Sequence, residues 1–411
     1  MGYIDFEKTV AAANYDPLPV VLREARGCWV TDVEGRRYLD MMSAYSAVSM
    51  GHGHPRILKA MAEQASRLAV TSRAYYTDAL APFLAKLVAL TGLDMALPMN
   101  TGAEAVETAI KAARRWGYRV KGIARDRAEI IVADNNFHGR TTTIVGFSSE
   151  ESYRDGFGPF SGGFKAVPFG DAAAVAQAIT ANTCAVLIEP IQGEAGIVVP
   201  PEGYLEDLRA ICDEHRVLLV LDEVQSGLGR TGRWFAHQHE GIRPDGLVLG
   251  KALGGGVYPV SALVGTRDLM QVFDPGSHGS TFGGNPLAAR IGLEALNVIE
   301  DENLVQRSAE LGAYLLDRLR SMRSNVVTDV RGRGLWVGVE VDPDVVSGRA
   351  LGEALLREGV LSKDTHGTVL RFAPPLTVTR EEIDWGMARI ERVFAGASEL
   401  TRKGPARCRT T

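Results

Sequence analysis

Four strongly apolar runs are spaced through the middle of the chain, and each is rich in Val, Ile or Leu. Between the second and third runs, residues 204–216 carry apolar side chains at helical spacing: Leu205, Leu208, Ile211 and Cys212. A strand, a helix and another strand in this order predict βαβ units around a mostly parallel, buried sheet. The four runs are EIIVAD at 129–134, CAVLIEP at 184–190, VLLVLDE at 217–223 and GLVLGK at 246–251.

The two ends of the chain follow a different pattern. Residues 27–42 predict a β-hairpin with Glu34-Gly35 in its turn. Residues 302–322 have the apolar spacing of a long helix, and short strands are expected within 326–341 and 369–376. This mixture of strands and helices predicts an α+β arrangement, distinct from the middle of the chain.

The pattern therefore predicts an α/β protein with two domains, and 411 residues are enough for two cores. The large domain has a mainly parallel central sheet, and both chain ends build a smaller α+β domain. The expected divisions are 1–55 for the N-terminal segment of the small domain, 56–294 for the large domain, 295–396 for the C-terminal small domain and 397–411 for a flexible tail.

Composition and charge exclude several classes of protein. The formal net charge of -5 comes from 45 basic and 50 acidic residues interspersed along the chain, which argues against a nucleic-acid partner. No apolar run approaches the roughly 20 residues of a membrane span, and Asp5 and Glu7 stand where a targeting peptide would be basic. We therefore expect a cytoplasmic protein with no membrane partner.

The cysteines and histidines do not predict a metal site. The cysteines at 28, 184, 212 and 408 form no CxxC pair and are expected to be reduced thiols. The pairs His52/His54 and His237/His239 have HxH spacing, but neither has a third ligand nearby. Structural or solvated histidines are the better interpretation, so no metal is expected.

Two polar residues end neighbouring apolar runs, and together they indicate a cofactor. Asp222 closes the run VLLVLD, and Lys251 closes GLVLGK just before three glycines. Taken alone, Asp222 could be a helix cap or a turn residue. A partly desolvated lysine with a lowered pKa can attack an aldehyde, and an acid can hold a cationic ring nitrogen. The pair matches what pyridoxal 5'-phosphate (PLP) requires, namely a Schiff-base lysine and a pyridinium partner.

A phosphate site is expected where a helix begins near Thr101, Gly102 and Ala103, because first-turn amides and the helix dipole favour an anion. The same residues could form an ordinary helix cap. The chain has neither GxxxxGK[ST] nor GxGxxG, so the P-loop and dinucleotide-binding interpretations lose support.

Seven ordered motifs resemble one family over nearly the whole chain. The chain is similar to the fold-type I, class III (subgroup II), PLP-dependent aminotransferases. Within that group NYDPLPVVL, SAYSAV, SRAYYTD, RRWGYRVKGI and GFGPF are most similar to the ornithine aminotransferases of amino-acid metabolism, which act in the metabolism of arginine and proline. The seven motifs are NTGAEA, FHGRT, IEPIQGEAG, LDEVQSGLGRTG, GKALGGG, GSTFGGNP and RFAPPL.

The resemblance implies roles for cofactor-binding residues and a homodimer with shared active sites. Gly102 and Ala103 would give amides to the phosphate, Phe137 would stack on the ring, and Gln225 would bond the phenolic oxygen. Thr281 would reach the phosphate of the neighbouring subunit's cofactor, and a higher oligomer stays open. Lys251 and Asp222 would be the catalytic pair.

The resemblance also implies an ornithine:2-oxo-acid aminotransferase that moves the δ-amino group of L-ornithine to 2-oxoglutarate by a ping-pong mechanism, giving glutamate 5-semialdehyde and glutamate. The substrate-binding residues would be Arg371 for the α-carboxylate of 2-oxoglutarate, Glu194 to mask Arg371 while ornithine is bound, Arg140 for the distal carboxylate, and Tyr15 and Tyr45 at the far end. On spacing alone, Arg371 could be a surface strand residue, Glu194 a loop cap, and the tyrosines packing residues.

Other functions stay open at this point. The nearest is an aminotransferase for N-acetylornithine or another ω-amino acid, because most cofactor motifs are shared. Tyr15 and Tyr45 discriminate between the two, since an acetylated α-amine is no longer a cation and needs more room. A nicotinamide-dependent oxidoreductase and a non-catalytic binding protein on the same scaffold are the alternatives from other classes.

Overall fold

The computed structural model describes residues 2–400. The chain alternates helices and strands through its middle, and the segments that flank it also combine strands with helices. The strands are β1 (Leu22–Arg26), β2 (Trp29–Asp32), β3 (Arg37–Asp40), β4 (Met95–Met99), β5 (Glu129–Ala133), β6 (Phe164–Val167), β7 (Thr183–Ile188), β8 (Leu218–Asp222), β9 (Gly246–Leu249), β10 (Ser261–Gly265), β11 (Val327–Gly332), β12 (Val337–Val341), β13 (Val360–Leu361), β14 (Lys363–Thr365) and β15 (Val369–Phe372).

The helices vary from single turns to more than four turns. They are α1 (Tyr3–Val10), α2 (Ser43–Ser46), α3 (Pro55–Arg67), α4 (Leu80–Thr91), α5 (Gly102–Trp116), α6 (Thr142–Val145), α7 (Ala172–Ala178), α8 (Tyr204–Glu214), α9 (Arg267–Met270), α10 (Pro286–Asp301), α11 (Leu304–Arg320), α12 (Gly348–Arg357) and α13 (Arg380–Ala395). None of these described helices is long and apolar enough to cross a bilayer.

A seven-stranded sheet forms the centre of the molecule, in the order β4-β10-β9-β8-β7-β5-β6. The five strands from β9 to β6 run parallel, and β10 is antiparallel to both of its neighbours. Alternate side chains are buried on the two faces, so that Leu219 and Leu221 lie in one core and Leu218 and Val220 in another. The predicted α/β fold with a mainly parallel sheet is confirmed.

Two four-stranded sheets lie outside this centre, in the orders β1-β2-β3-β13 and β11-β12-β15-β14. The predicted hairpin is confirmed, because β2 and β3 pair antiparallel across the turn that holds Gly35. Strand β13, from the C-terminal part of the chain, pairs in parallel with β3. The first sheet thus joins both ends of the chain through backbone hydrogen bonds.

The predicted domain boundaries remain a prediction, and two of them meet continuous helices. The division after residue 55 falls at the start of α3, and the division after 294 falls inside α10. In the segment predicted to be a flexible tail, Ala397 is fully buried and Leu400 packs against the core. Residues 401–411 of that tail lie outside the described residues.

Candidate active site

Asp222 and Lys251 lie next to each other at one edge of the central sheet. Asp222 is the last residue of β8, and Lys251 follows the end of β9 by two residues. Because β8 and β9 are parallel neighbours, their carboxyl ends meet at the same edge, where open α/β sheets bind ligands. Both side chains line one cavity of about 200 Å³.

Lys251 is held in an unusual environment. Its φ of 43° lies in the left-handed region that a residue with a Cβ rarely adopts. Burial lowers the pKa of the Lys251 amine below its ordinary value, although the charges of Glu194 and Asp222 partly oppose that shift. Burial therefore favours the neutral amine, which is the form that can act as a nucleophile or a base.

Asp222 is fixed by a histidine that sequence reasoning gave no role. Nδ1 of His138 lies 2.7 Å from Oδ2 of Asp222, and both side chains are buried. The backbone N–H of Val224 donates to Oδ1 of Asp222 at 3.0 Å. Burial alone would lower the pKa of His138, but the hydrogen bond and charge of Asp222 outweigh it and raise that pKa.

The opposite wall of the cavity is the start of α5. The hydroxyl of Thr101 accepts from the N–H of Glu104, whose carboxylate in turn accepts from the N–H of Thr101. This capping box leaves the N–H groups of Gly102 and Ala103 in the first turn, where no intrahelical acceptor exists, and both residues line the cavity. A Cβ at Gly139 would lie 2.9 Å from that of Ala103, so this wall requires a glycine.

A second residue missed from the sequence is Glu189. It follows the last residue of β7 directly, at the same edge of the sheet as Asp222, which ends β8. Its carboxylate accepts from the N–H of Phe137 at 2.9 Å and from that of Gly193 at 3.2 Å. Burial raises the pKa of Glu189 to about 7. Glu189 could have been found from the sequence, because it is a charged residue directly after the apolar part of CAVLIEP.

Arg371 and Glu194 form an ion pair next to Lys251. NH1 of Arg371 lies 2.8 Å from Oε1 of Glu194, and the Arg371 side chain is only 5% exposed. The guanidinium also lies 4.9 Å from the ring centre of Tyr45. Tyr45 belongs to α2, a turn whose four residues all have left-handed φ values between 41° and 74°.

Arg140 lies in an aromatic environment. Its guanidinium carbon is 3.8 Å from the ring centre of Tyr153 and 5.7 Å from that of Phe137. Phe137 and Gln225 both line the cavity, and a Cβ at Gly193 would overlap Oε1 of Gln225. Tyr153 was not identified from the sequence, which gave no periodic or motif signal there.

Six of the predicted site residues do not line the 200 Å³ cavity of their own chain, namely Tyr15, Tyr45, Arg140, Glu194, Thr281 and Arg371. Two of these six are largely exposed. Tyr15 is 74% exposed, although it lies near enough to Tyr45 to act on its charge state. Thr281 is exposed, and the adjacent Phe282 is 48% exposed. In the chain by itself, neither residue completes the site.

Arg230 is a buried cation that sequence reasoning also missed. It donates to the carbonyls of Leu335 and Pro374 at 2.8 and 2.7 Å, and to the hydroxyls of Ser43 and Ser49 at 3.1 and 3.0 Å. These bonds connect the turn that carries Tyr45 with the segment after β15. In the sequence Arg230 lies within the motif LDEVQSGLGRTG, which gave it no role of its own.

The four histidines with HxH spacing are engaged in ordinary contacts. His52 pairs with Asp40 and His54 with Glu302, at 2.8 and 2.9 Å. His237 pairs with Glu223, and His239 contacts Thr231. Among residues 2–400, no group of three or more metal-ligating side chains is present.

The residues around the cavity fit PLP. A lysine amine with a lowered pKa, a buried carboxylate, an aromatic side chain and a helix start with open amides occupy its different walls. Nε2 of His138 is buried and has no partner among the described residues. The chemistry of this donor set matches an aldehyde, a ring nitrogen, a ring face and a phosphate.

Comparisons with known proteins identify the family of the chain. The family model described as aminotransferase class-III matches residues 10–394. The chain is 56% identical over 385 residues to the ornithine aminotransferase of Geobacillus sp. (strain WCH70), covering 94% of this chain and 96% of that one.

Two solved structures are similar as well. The ornithine aminotransferase of Toxoplasma gondii, crystallised with oxidised glutathione and holding PLP at partial occupancy, has a TM-score of 0.95 at 42% identity, covering 97% of this chain and 94% of that one. The acetylornithine aminotransferase of Elizabethkingia anophelis has a TM-score of 0.87 at 44% identity, covering 95% and 98%. The chain belongs to the class-III aminotransferases.

Proposed function

We propose that this protein transfers the δ-amino group of L-ornithine to 2-oxoglutarate, in two half-reactions at one site. The products are glutamate 5-semialdehyde and glutamate. The observation that carries the proposal is the 2.8 Å ion pair of Arg371 and Glu194 beside Lys251, because it provides an arginine that a neighbouring residue can mask. The similarity to proteins named ornithine aminotransferase, at 52–56% identity, supports the same substrate.

Class-III aminotransferases use PLP, and the cavity has a residue for each part of it. When bound, PLP supplies an aldehyde that takes up amino groups and a ring that withdraws electrons from the reacting carbon. Lys251 would hold it covalently and Asp222 would keep the ring nitrogen protonated. The remaining contacts are proposed for Gly102 and Ala103 at the phosphate, Phe137 at the ring face, and Gln225 at the phenolic oxygen.

Lys251 is also the proposed acid and base. Its Nζ would take the proton from the δ-carbon of ornithine and, in the second half-reaction, return a proton to the carbon that becomes the α-carbon of glutamate. Burial lowers the pKa of the amine, which favours the neutral form that can accept this proton. His138 would keep Asp222 oriented during both steps.

The two substrates present different charges to the same cavity. The α-carbon of 2-oxoglutarate carries a carboxylate, whereas the δ-carbon of ornithine carries only hydrogens there. We propose that Arg371 binds that carboxylate, and that Glu194 neutralises Arg371 while ornithine is bound. A planar guanidinium suits both carboxylates because it can donate two parallel hydrogen bonds to either.

Three further residues are proposed to bind the ends of the substrates that lie away from the reacting carbon. Arg140 would bind the distal carboxylate of 2-oxoglutarate, and Tyr15 would reach the α-amino group of ornithine with Tyr45 beside it. Tyr45 lies against Arg371 at 4.9 Å, and burial raises the pKa of its hydroxyl, which therefore stays protonated.

A homodimer with shared sites is part of the proposal. We propose that Thr281 binds the phosphate of the partner's cofactor, which is consistent with its exposure and with its absence from the lining of its own cavity. Large side chains in the matching motifs are also exposed, with Tyr75 at 70% and Tyr76 at 96%. A cytoplasmic location is proposed too, since Cys28, Cys184 and Cys212 are buried free thiols and Cys408 lies outside the described residues.

A half-reaction screen tests the substrate. The visible spectrum of the bound cofactor is followed after adding ornithine, N-acetylornithine, lysine or 4-aminobutyrate to the holoenzyme in the absence of an oxo acid. We expect ornithine to react with the highest kcat/KM. The similarity to the acetylornithine aminotransferase of Elizabethkingia anophelis favours N-acetylornithine as the second candidate, and a higher kcat/KM for that compound would replace the proposal.

A further inference from the structure

The two pocket arginines are neutralised to different degrees. Arg371 has a carboxylate partner, Glu194, at 2.8 Å. Within residues 2–400, Arg140 has no carboxylate at ion-pair distance, and its guanidinium lies over the faces of Tyr153 and Phe137. Arg140 therefore has no neutralising carboxylate among the described residues, whereas Arg371 has one.

Tyr153 is the closer of the two rings by nearly 2 Å, with the guanidinium carbon 3.8 Å from its centre against 5.7 Å for Phe137. The two rings meet edge to face, with centres 6.1 Å apart at 81°. Such an arrangement holds a planar cation against a ring face without using its hydrogen-bond donors. The donors of Arg140 stay available to a ligand.

Tyr153 lies against Arg140, near Glu194 and Arg371, and is held by its own turn. It ends the 3₁₀ turn Glu151–Tyr153, and its N–H donates to the carbonyl of Glu150 at 3.1 Å. Burial raises the pKa of Tyr153 above its ordinary value, with Arg140, Glu194 and Arg371 all near enough to contribute. Tyr153 is thus a neutral ring among the charges proposed to bind the oxo acid.

We propose that Tyr153 is a positioning residue for the oxo-acid half-reaction, whose ring holds the guanidinium of Arg140 in place to receive a distal carboxylate. The inference rests on the proposed role of Arg140. It follows that Tyr153 matters for 2-oxo acids with a second carboxylate, and matters little for the amino donor or for an acceptor without that carboxylate.

The test compares Tyr153→Leu, Tyr153→Phe and Arg140→Met in the holoenzyme, with 2-oxoglutarate and 2-oxobutyrate as acceptors and ornithine as donor. A cation–π contact contributes about 0.5–2 kcal/mol, so Tyr153→Leu should raise the KM for 2-oxoglutarate about 2- to 30-fold. Tyr153→Phe keeps the ring and should stay within about twofold of the wild type. KM for ornithine and the kinetics with 2-oxobutyrate should not change with either.

Tyr314→Leu is the matched control, because Arg380 lies over the Tyr314 ring at the same 3.8 Å, away from the cavity. It should leave every KM unchanged. The inference fails if Tyr153→Leu leaves the KM for 2-oxoglutarate unchanged, if Tyr153→Phe is equally impaired, or if ornithine is affected as strongly. An unchanged KM for 2-oxoglutarate in Arg140→Met would contradict the proposed role of Arg140. A raised KM for 2-oxoglutarate in Arg140→Met, together with an unchanged one in Tyr153→Leu, would contradict only the role of Tyr153.

Discussion

Nδ1 of His138 lies 2.7 Å from Oδ2 of Asp222, and both side chains are almost completely shielded from solvent. The two residues are 84 positions apart, and their contact joins the loop after β5 to the end of β8. A buried carboxylate is costly without a donor, and His138 supplies a partner for Oδ2 of Asp222.

Replacing His138 by Phe should lower the free energy of unfolding by about 1–3 kcal/mol, because a buried carboxylate oxygen loses its donor. Urea denaturation of the two proteins measures the difference. His54→Phe is the control: it breaks a similar 2.9 Å pair, but Glu302 is 39% exposed, so about 1 kcal/mol or less is expected. Equal losses in the two variants would contradict this account of Asp222.

The stabilisation from His138 should depend on pH in a defined direction. The pKa of His138 is raised in the folded protein above its ordinary value of 6.5. A raised pKa means that the folded state binds the proton more tightly, so this contribution is full below the ordinary value and is lost as pH rises through the folded pKa. The stability difference between wild type and His138→Phe, measured by urea denaturation, should therefore shrink with rising pH. A stability difference that grows with rising pH would contradict a raised pKa of His138 in the folded protein.

The lowered pKa of Lys251 should make stability change with pH in the opposite direction. Its pKa is lowered by burial from an ordinary value of 10.5. Between the lowered value and 10.5 the unfolded chain binds more protons, so the stability of the cofactor-free protein should rise with pH in that window. Lys251→Met removes the titrating group and should flatten the slope, as measured by urea denaturation at several pH values. The same variant should lose all transaminase activity, and residual turnover would contradict the assignment of Lys251.

Glu194→Gln should unmask Arg371 and change which amino donor is preferred. We expect the ratio of half-reaction kcat/KM for ornithine to that for glutamate to fall about tenfold or more, because removing one partner of a largely buried ion pair leaves the other charge without compensation. Stopped-flow spectra of the bound cofactor give both values. Glu391→Gln, which breaks the 3.0 Å pair with Arg318 far from the cavity, should leave the ratio unchanged.

The homodimer predicts a solution mass of twice the chain's 44.3 kDa, measurable by sedimentation equilibrium. Thr281→Ala should weaken PLP binding, because a hydroxyl donor to the partner's phosphate is lost, without lowering the stability of the isolated chain. Equilibrium dialysis of PLP tests this, with Ser277→Ala as a nearby control. A monomeric protein with unchanged PLP affinity in Thr281→Ala would contradict the shared site.

The sequence located these two strands to within two residues because apolar runs are local signals, although Lys251 follows its strand rather than ending it. VLLVLDE and GLVLGK predicted strands, and the structure gives Leu218–Asp222 and Gly246–Leu249. The residue that follows such a run must lie at the sheet edge, so Asp222 and Lys251 could be found from their positions alone. The same signal was present at Glu189, where it was overlooked.

Side-chain partners from distant segments could not be found in this way. His138 with Asp222, Arg230 with Ser43 and Pro374, and Arg140 with Tyr153 all depend on how loops from separate elements meet. No periodicity encodes these contacts, because each is decided by the packing of whole elements. The motif resemblance supplied Arg371 with Glu194, and the tertiary structure gave that pair its distance.

By itself the sequence determined the alternating α/β core, the lysine and aspartate at neighbouring strand ends, and the membership of an aminotransferase family. Only the tertiary structure decided that Glu194 lies 2.8 Å from Arg371 and that Arg140 rests on aromatic rings. The physical reason is that secondary structure follows from local periodicity and backbone hydrogen bonding, whereas the charge state of a pocket follows from which distant groups are buried together.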